Sequence, residues 1–294
     1  MHPSPAPIFA PPATPFLASS TAEALAGQPL AAAIFGAPLD LTESFRSGAH
    51  GGPAAVRCMS ESLESYSPAL DRDLTDLRVV DLGDLDLQAA AMPAALERIA
   101  AAAAHAARLA KVAVMLGGEH TASLGGFRGI KRVHPAAVIL QLDAHLDIRH
   151  DYEGELLSHA TWLHRVGEEF GFDIIHQLGL RSGERSEWQI ARQRTAWSTP
   201  ALSLPGEVRE RIGQRAVYVS IDIDVLDPAH APGTGCPEPG GVTFRELADF
   251  LHSLADLNVV GLDVMEVSPQ VDPANITAAA AAKLVREAIL VFGR

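Results

Sequence analysis

The chain reads as an α/β domain with a mostly parallel sheet of about eight strands and helices on both faces. Short runs of Val, Ile, Leu and Ala alternate with helix-length segments about eight times, the pattern of repeated strand–helix–strand units. Polar, Gly-bearing loops recur after the apolar runs. In a parallel sheet they collect at the carboxyl ends of the strands, where such sheets bind ligands. No repeat or linker splits the 294 residues, so one domain is expected over 29–294, preceded by a Pro- and Ala-rich arm over 1–28.

The elements follow in order. Six prolines between Pro3 and Pro15 make the arm an extended segment, either disordered or laid on a neighbouring subunit. Ala31–Phe35 is a short strand ending at Gly36. A loop over 39–50 leads to a helix from Pro53, a residue suited to a first helical turn. Arg78–Leu82 is a strand, Ala89–Leu109 an Ala-rich helix and Val112–Leu116 a strand. Gly117 and Gly118 let the backbone bend before a helix over 121–133. Ala136–Leu142 is a buried strand, followed by a polar loop over 148–158 and a helix near 160–169. Asp173–Leu178 is a strand, and 185–215 hold one or two short helices and a weak strand. Ala216–Ile223 is a strong strand before a Gly/Pro-rich loop to Gly241. The helix Phe244–Ala255, the strand Val259–Val264 and the helix Ile276–Phe292 close the chain.

Composition narrows the function classes. Hydrophobic residues make up 48% and charged residues 20%, ordinary for a globular protein, while aromatics are only 5%. Ala, Val, Leu and Ile must therefore build the core. A net charge of −13 argues against nucleic acid and anionic membranes and favours a cationic substrate. The two cysteines, Cys58 and Cys236, form no CxxC pattern, no apolar run reaches membrane-spanning length, and the N-terminus lacks the basic region of a signal peptide. A reducing, cytoplasmic setting is the expectation.

The chemistry gathers at strand ends. After one apolar run come Asp143, His145 and Asp147 at every second position, which in an extended backbone share one side. After another come Asp222 and Asp224. Both clusters would face one cleft, where a bound cation relieves their mutual repulsion. His120, after the Gly-Gly turn, adds a nitrogen. Four carboxylates balance two divalent metals, with His120 and His145 as neutral ligands. Mixed oxygen and imidazole donors suit Mn(II), with Ni, Co or Fe as alternatives, and the absence of cysteine ligands argues against structural zinc. Two such ions, roughly 3.5–4 Å apart, acidify a shared water.

Together, Gly-Gly-Glu-His (117–120), Asp-Ala-His-Leu-Asp (143–147), Ser-Ile-Asp-Ile-Asp-Val-Leu-Asp-Pro (220–228) and Gly-Leu-Asp-Val-Met-Glu-Val-Ser-Pro (261–269) resemble the ureohydrolase superfamily of arginases and agmatinases. The resemblance runs from about Phe35 to the C-terminus and is similar in detail to prokaryotic agmatinases. It implies a three-layer αβα fold, two Mn(II) per subunit, and hydrolysis of a guanidinium group to urea and an amine by a metal-bridging hydroxide. It implies His120, Asp143, Asp147 and Asp222 as ligands of one metal, and His145, Asp143, Asp222 and Asp224 as ligands of the other. Glu266 matches the glutamate that pairs with the guanidinium and His159 the histidine that shuttles protons, with Asp147 helping to hold substrate. Homotrimers or homohexamers are also implied.

Substrate choice falls to the loop 148–158, which lacks the Asn- and Ser-bearing pattern of arginases. Its acids suit a cationic tail such as agmatine's, whereas Arg149 suits an acid such as guanidinobutyrate. Guanidine, a biguanide or a formimino compound are alternatives on the same fold; the last calls for a carboxylate-binding arginine, Arg149 or Arg181. A non-catalytic subunit paired with an active paralogue is a further alternative. Asp263 is expected to support Glu266, Asp227-Pro228 to shape its loop, and Trp162 and Cys236 to line the pocket. His105, His134, His150, His164, His176, His230 and His252 are expected to lie outside the ligand set.

Overall fold

The computed structural model describes residues 7–20 and 29–294. In chain order its elements are β1 (Phe9–Ala10), β2 (Leu30–Ala37), α1 (Gly52–Ser60), β3 (Tyr66–Ser67), β4 (Arg72–Asp73), β5 (Val79–Leu85), α2 (Met92–Leu109), β6 (Ala110–Gly117), α3 (Ala122–Val133), β7 (Val138–Leu142), α4 (Trp162–Phe170), β8 (Ile175–Leu178), α5 (Arg185–Arg194), β9 (Trp197–Thr199), α6 (Gly206–Ile212), β10 (Ala216–Asp222), α7 (Phe244–Ser253), β11 (Asn258–Met265) and α8 (Ile276–Phe292).

Nine strands form one sheet in the order β1-β5-β2-β6-β11-β10-β7-β8-β9, and every pairing except β1 with β5 is parallel. Strand side chains alternate between faces, so each strand feeds two cores. In β6, Val112, Val114 and Leu116 face the layer of α1, α6, α7 and α8, while Ala113 and Met115 face α2, α3, α4 and α5. In β7, Val138, Leu140 and Leu142 face the first layer and Ile139 the second. The result is the expected three-layer α/β fold. The four central strands, β6, β11, β10 and β7, end at the motif residues.

Two details differ from expectation. Over residues 7–20 the N-terminal segment lies on its own sheet: Phe9–Ala10 pair with Leu85–Asp84, Phe16 is buried, and the Phe16 N–H donates to Asp81 Oδ2 at 2.9 Å. The rest of the proposed arm, 1–6 and 21–28, lies outside the described residues. Gly117 and Gly118 do not have positive φ. They serve close approach instead: a Cβ on Gly118 would sit 1.9 Å from the Leu39 carbonyl oxygen, and one on Gly117 2.1 Å from Met265 Sδ.

One buried ion pair ties the N-terminal segment, α1 and β5 together. Arg57, 1% exposed, donates from Nε and a terminal nitrogen to Asp81 at 2.8 and 3.0 Å and to Asp84 at 2.6 Å. Removing one partner of such a pair leaves the other charge buried without compensation, at a cost of about 3–5 kcal/mol. Arg57→Ala should therefore lower the denaturant midpoint by that equivalent. A midpoint close to the wild type would show that Asp81 finds another partner.

Candidate active site

The motif residues meet at the carboxyl ends of the central strands. His120 follows β6, and its Nδ1 lies 3.1 Å from Asp143 Oδ2 after β7, 3.0 Å from Asp147 Oδ2 and 3.2 Å from Asp222 Oδ2 at the end of β10. Beside this group, His145 Nδ1 lies 2.8 Å from Asp224 Oδ2 and 3.8 Å from Asp143 Oδ1. All six residues predicted to bind metal thus lie together in two groups that share Asp143. Each group brings donor atoms within 4.8 Å of one another: His120, Asp143 and Asp222 in one, and Asp143, His145 and Asp224 in the other.

Simple alternation along an extended strand does not produce this cluster. Asp147 has φ 52°, in the left-handed region, and that turn swings its carboxylate back towards His120. Asp222 caps and Asp224 sits within a single 3-10 turn over Ile223–Val225, where Asp222 accepts from the Asp224 N–H at 2.9 Å. Glu266 also has positive φ, 63°. Left-handed non-glycine residues cost about 1–3 kcal/mol each and persist only where surrounding contacts hold them. Here the Glu266 N–H donates to the Gly118 carbonyl, and Glu266 Oε1 accepts from the His120 N–H at 2.6 Å.

The electrostatics call for a cation. Burial, then repulsion from Asp147 and Asp224, pushes the Asp143 carboxyl up to about 7. Burial, then Asp224, pushes Asp222 well above the carboxylate range. Burial alone would lower His145, but Asp224 beside it overcomes this and holds its pKa at about 11. His120 Nδ1 is fully buried and, despite three nearby carboxylate oxygens, makes no hydrogen bond. A lone nitrogen and several carboxylate oxygens aimed at common points, with no thiolate among them, fit hard or borderline divalent metals.

A polar network fixes these donors from behind. His120 Nε2 meets Ser220 Oγ at 3.0 Å, and Ser220 donates to Asp263 Oδ1 at 2.7 Å. Asp263 also accepts from Ser123 and Tyr218. It therefore orients His120 through Ser220 rather than supporting Glu266 as expected. Gln141 donates to Asp143 Oδ2 at 2.6 Å and is itself held by Gln177. Trp162 is fully buried and does not line the cavity; its Nε1 donates to Asp147 Oδ2 at 2.9 Å. Such contacts orient ligands and set their basicity. The detectable signal was a polar residue inside an apolar strand: Gln141, Gln177, Ser220, Asp263.

A cavity of ≈ 400 Å³ opens over the cluster, and its wall includes His159, Glu266, Cys236 and Arg149. His159 Nδ1 lies 3.3 Å from Thr42 Oγ1, and its ring meets Tyr152 edge-on at 5.5 Å. Thr42 is pinned by Glu119, which accepts from the Thr42 N–H at 2.6 Å and from its hydroxyl at 2.9 Å. Sequence reasoning missed Thr42 and Glu43 because only the tertiary fold brings their loop to the site, and it gave Glu119 no role although Glu119 lies in the motif that carries His120. Arg149 is paired with Glu184 at 3.1 Å and Glu187 at 3.2 Å. Arg181 is absent from the cavity wall and donates to backbone carbonyls, among them Asp224 O at 2.6 Å and Glu238 O at 2.7 Å. Asp227 shapes its loop by accepting from the Gly240 and Gly241 N–H groups at 2.8 and 3.1 Å.

Comparison with known proteins agrees with this geometry. The Arginase family profile matches residues 30–291. An agmatinase of Bacillus cereus is 41% identical over 261 residues, covering 87% of this chain and 90% of the relative. A guanidinobutyrase of Pseudomonas aeruginosa is 34% identical over 276 residues, covering 90% and 86%. The solved proclavaminate amidino hydrolase of Streptomyces clavuligerus superposes with a TM-score of 0.82 at 29% identity, covering 99% of each chain. The chain therefore belongs to the arginase family, as an agmatinase-like ureohydrolase.

Proposed function

We propose that the chain hydrolyses agmatine, or a guanidino compound with a similar cationic tail, to urea and the corresponding amine, using two Mn(II) per subunit. The observation that carries this reading is the gathering of carboxylate oxygens of Asp143, Asp147 and Asp222 within 3.2 Å of His120 Nδ1, beneath the cavity that Glu266 lines. His120, Asp143, Asp147 and Asp222 would hold one ion and His145, Asp143, Asp222 and Asp224 the other. Such a centre, when bound, acidifies water and supplies a nucleophile at neutral pH.

The chain's own groups do the rest. Glu266 accepts N–H donors of the guanidinium and orients its carbon, as a carboxylate suits that planar cation. The oxygen adds to the guanidinium carbon first; the C–N bond to the amine then breaks, and the departing nitrogen needs a proton. His159, at the cavity wall and held by Thr42, delivers it. Asp147, locked by Trp162, helps hold the substrate end of the site.

The state of the two candidate arginines supports a cationic tail over an anionic one. Arg149 is already neutralised by two glutamates, and Arg181 is occupied by carbonyls. The same occupation disfavours a formimino acid. Assembly as a homotrimer or homohexamer and a cytoplasmic location belong to the same proposal. Both cysteines are free, and among the described residues no helix is long and apolar enough to cross a membrane.

Urea release from metal-loaded protein should be fastest with agmatine among agmatine, guanidinobutyrate, arginine, guanidine and a biguanide; no urea from any of them would sink the reading. Glu184→Gln, which loosens Arg149, should raise activity on guanidinobutyrate relative to agmatine several-fold, and an unchanged ratio would remove Arg149 from tail selection. His159→Ala should lower kcat by about 10²–10⁴, and Thr42→Val by less, with little change in KM. Undiminished turnover in His159→Ala would take the proton transfer away from that residue.

A further inference from the structure

Glu43 lies on the loop after β2, outside the sets of donors assigned to the metals. It lines the cavity beside Glu266, His145 and Cys236. Its Oε1 is fully shielded from solvent and has no hydrogen-bond donor from the protein.

The loop holds Glu43 in place. Glu119 accepts from the N–H groups of Leu41 and Thr42 on one side of it, at 2.5 and 2.6 Å, and Asp40 accepts from the Gly48 N–H at 2.7 Å on the other. Gly235 packs directly against it and leaves it room: a Cβ there would stand 2.7 Å from Glu43 Oε2. Two neighbouring carboxyl groups in a shielded cavity, one with an acceptor that nothing satisfies, are unfavourable until a donor-rich cation meets both. A guanidinium has N–H donors on more than one edge of a rigid plane. An amine tail or a neutral amide offers no such pair of edges.

We propose that Glu43 is a specificity-determining residue that receives a second edge of the substrate guanidinium, whose first edge lies on Glu266. This deepens the guanidine-hydrolase reading and rests on it. Glu43 thereby selects full guanidinium groups over amidines with fewer donors. It acts on binding, because the N–H donors meet both carboxylates before the reaction starts.

The test compares metal-loaded wild type, Glu43→Gln and Glu43→Ala by urea release, by inhibition with the amine product, and by bound metal per chain. The expected result is a KM raised about tenfold or more, the effect of losing a charge-assisted hydrogen bond, with kcat less affected. Metal content and the inhibition constant of the amine product, which has no guanidinium, should stay at wild-type values. A wild-type KM in both variants, product inhibition that weakens in step with KM, or lost metal would overturn the proposal. Absence of urea release from the wild type would fail the underlying reading. Urea release from wild type with an unchanged KM in the variants would fail this inference alone.

Discussion

Four aspartates buried around two imidazoles at the ends of adjacent parallel strands set the terms for the rest of this molecule. At an effective dielectric constant of about 20, two unit charges about 4 Å apart repel by about 4 kcal/mol. Burial adds to that cost, as the raised carboxyl of Asp143 shows. A single helix or loop does not hold such a cluster. Here four strands at the centre of a nine-stranded sheet, covered on both faces, supply the rigidity.

That rigidity extends inward through side chains. Ser220 and Asp263 hold the His120 ring, Gln177 and Gln141 hold Asp143, and Trp162 holds Asp147. The two left-handed residues of the site, Asp147 and Glu266, lie where these contacts and the Gly118 carbonyl fix the backbone. Outward, Glu119 ties the loop of Thr42 and Glu43 to the same motif that carries His120, so the cavity wall is anchored to its floor. The residues proposed for metal binding, substrate orientation and proton delivery thus share one framework.

Much of this was legible in the residues. The apolar runs named seven of the eight parallel strands, because buried parallel strands are continuous stretches of Val, Ile, Leu and Ala; β9, the half-buried Trp-Ser-Thr edge, was only a weak strand somewhere in 185–215. The spacing of Asp143, His145 and Asp147 and of Asp222 and Asp224 named the residues that converge. What stayed hidden depended on tertiary contacts. Two-residue β1 is a strand only because the edge of β5 receives it. Asp263 supports His120 through Ser220 because the parallel register of β10 and β11 sets Ser220 opposite Asp263. Trp162, expected to line the pocket, is buried against Asp147 instead, and Glu43, an acid from a distant loop that the sequence did not single out, lines the cavity.

The central claim is that the aspartate–histidine cluster is a cradle for two divalent cations. Metal analysis of protein prepared with Mn(II) and freed of loosely bound ions tests it most directly. The account predicts two ions per chain, falling when Asp143, which belongs to both groups, is changed to Asn. Protein that keeps no metal, or an Asp143→Asn variant that still keeps two ions, would contradict it.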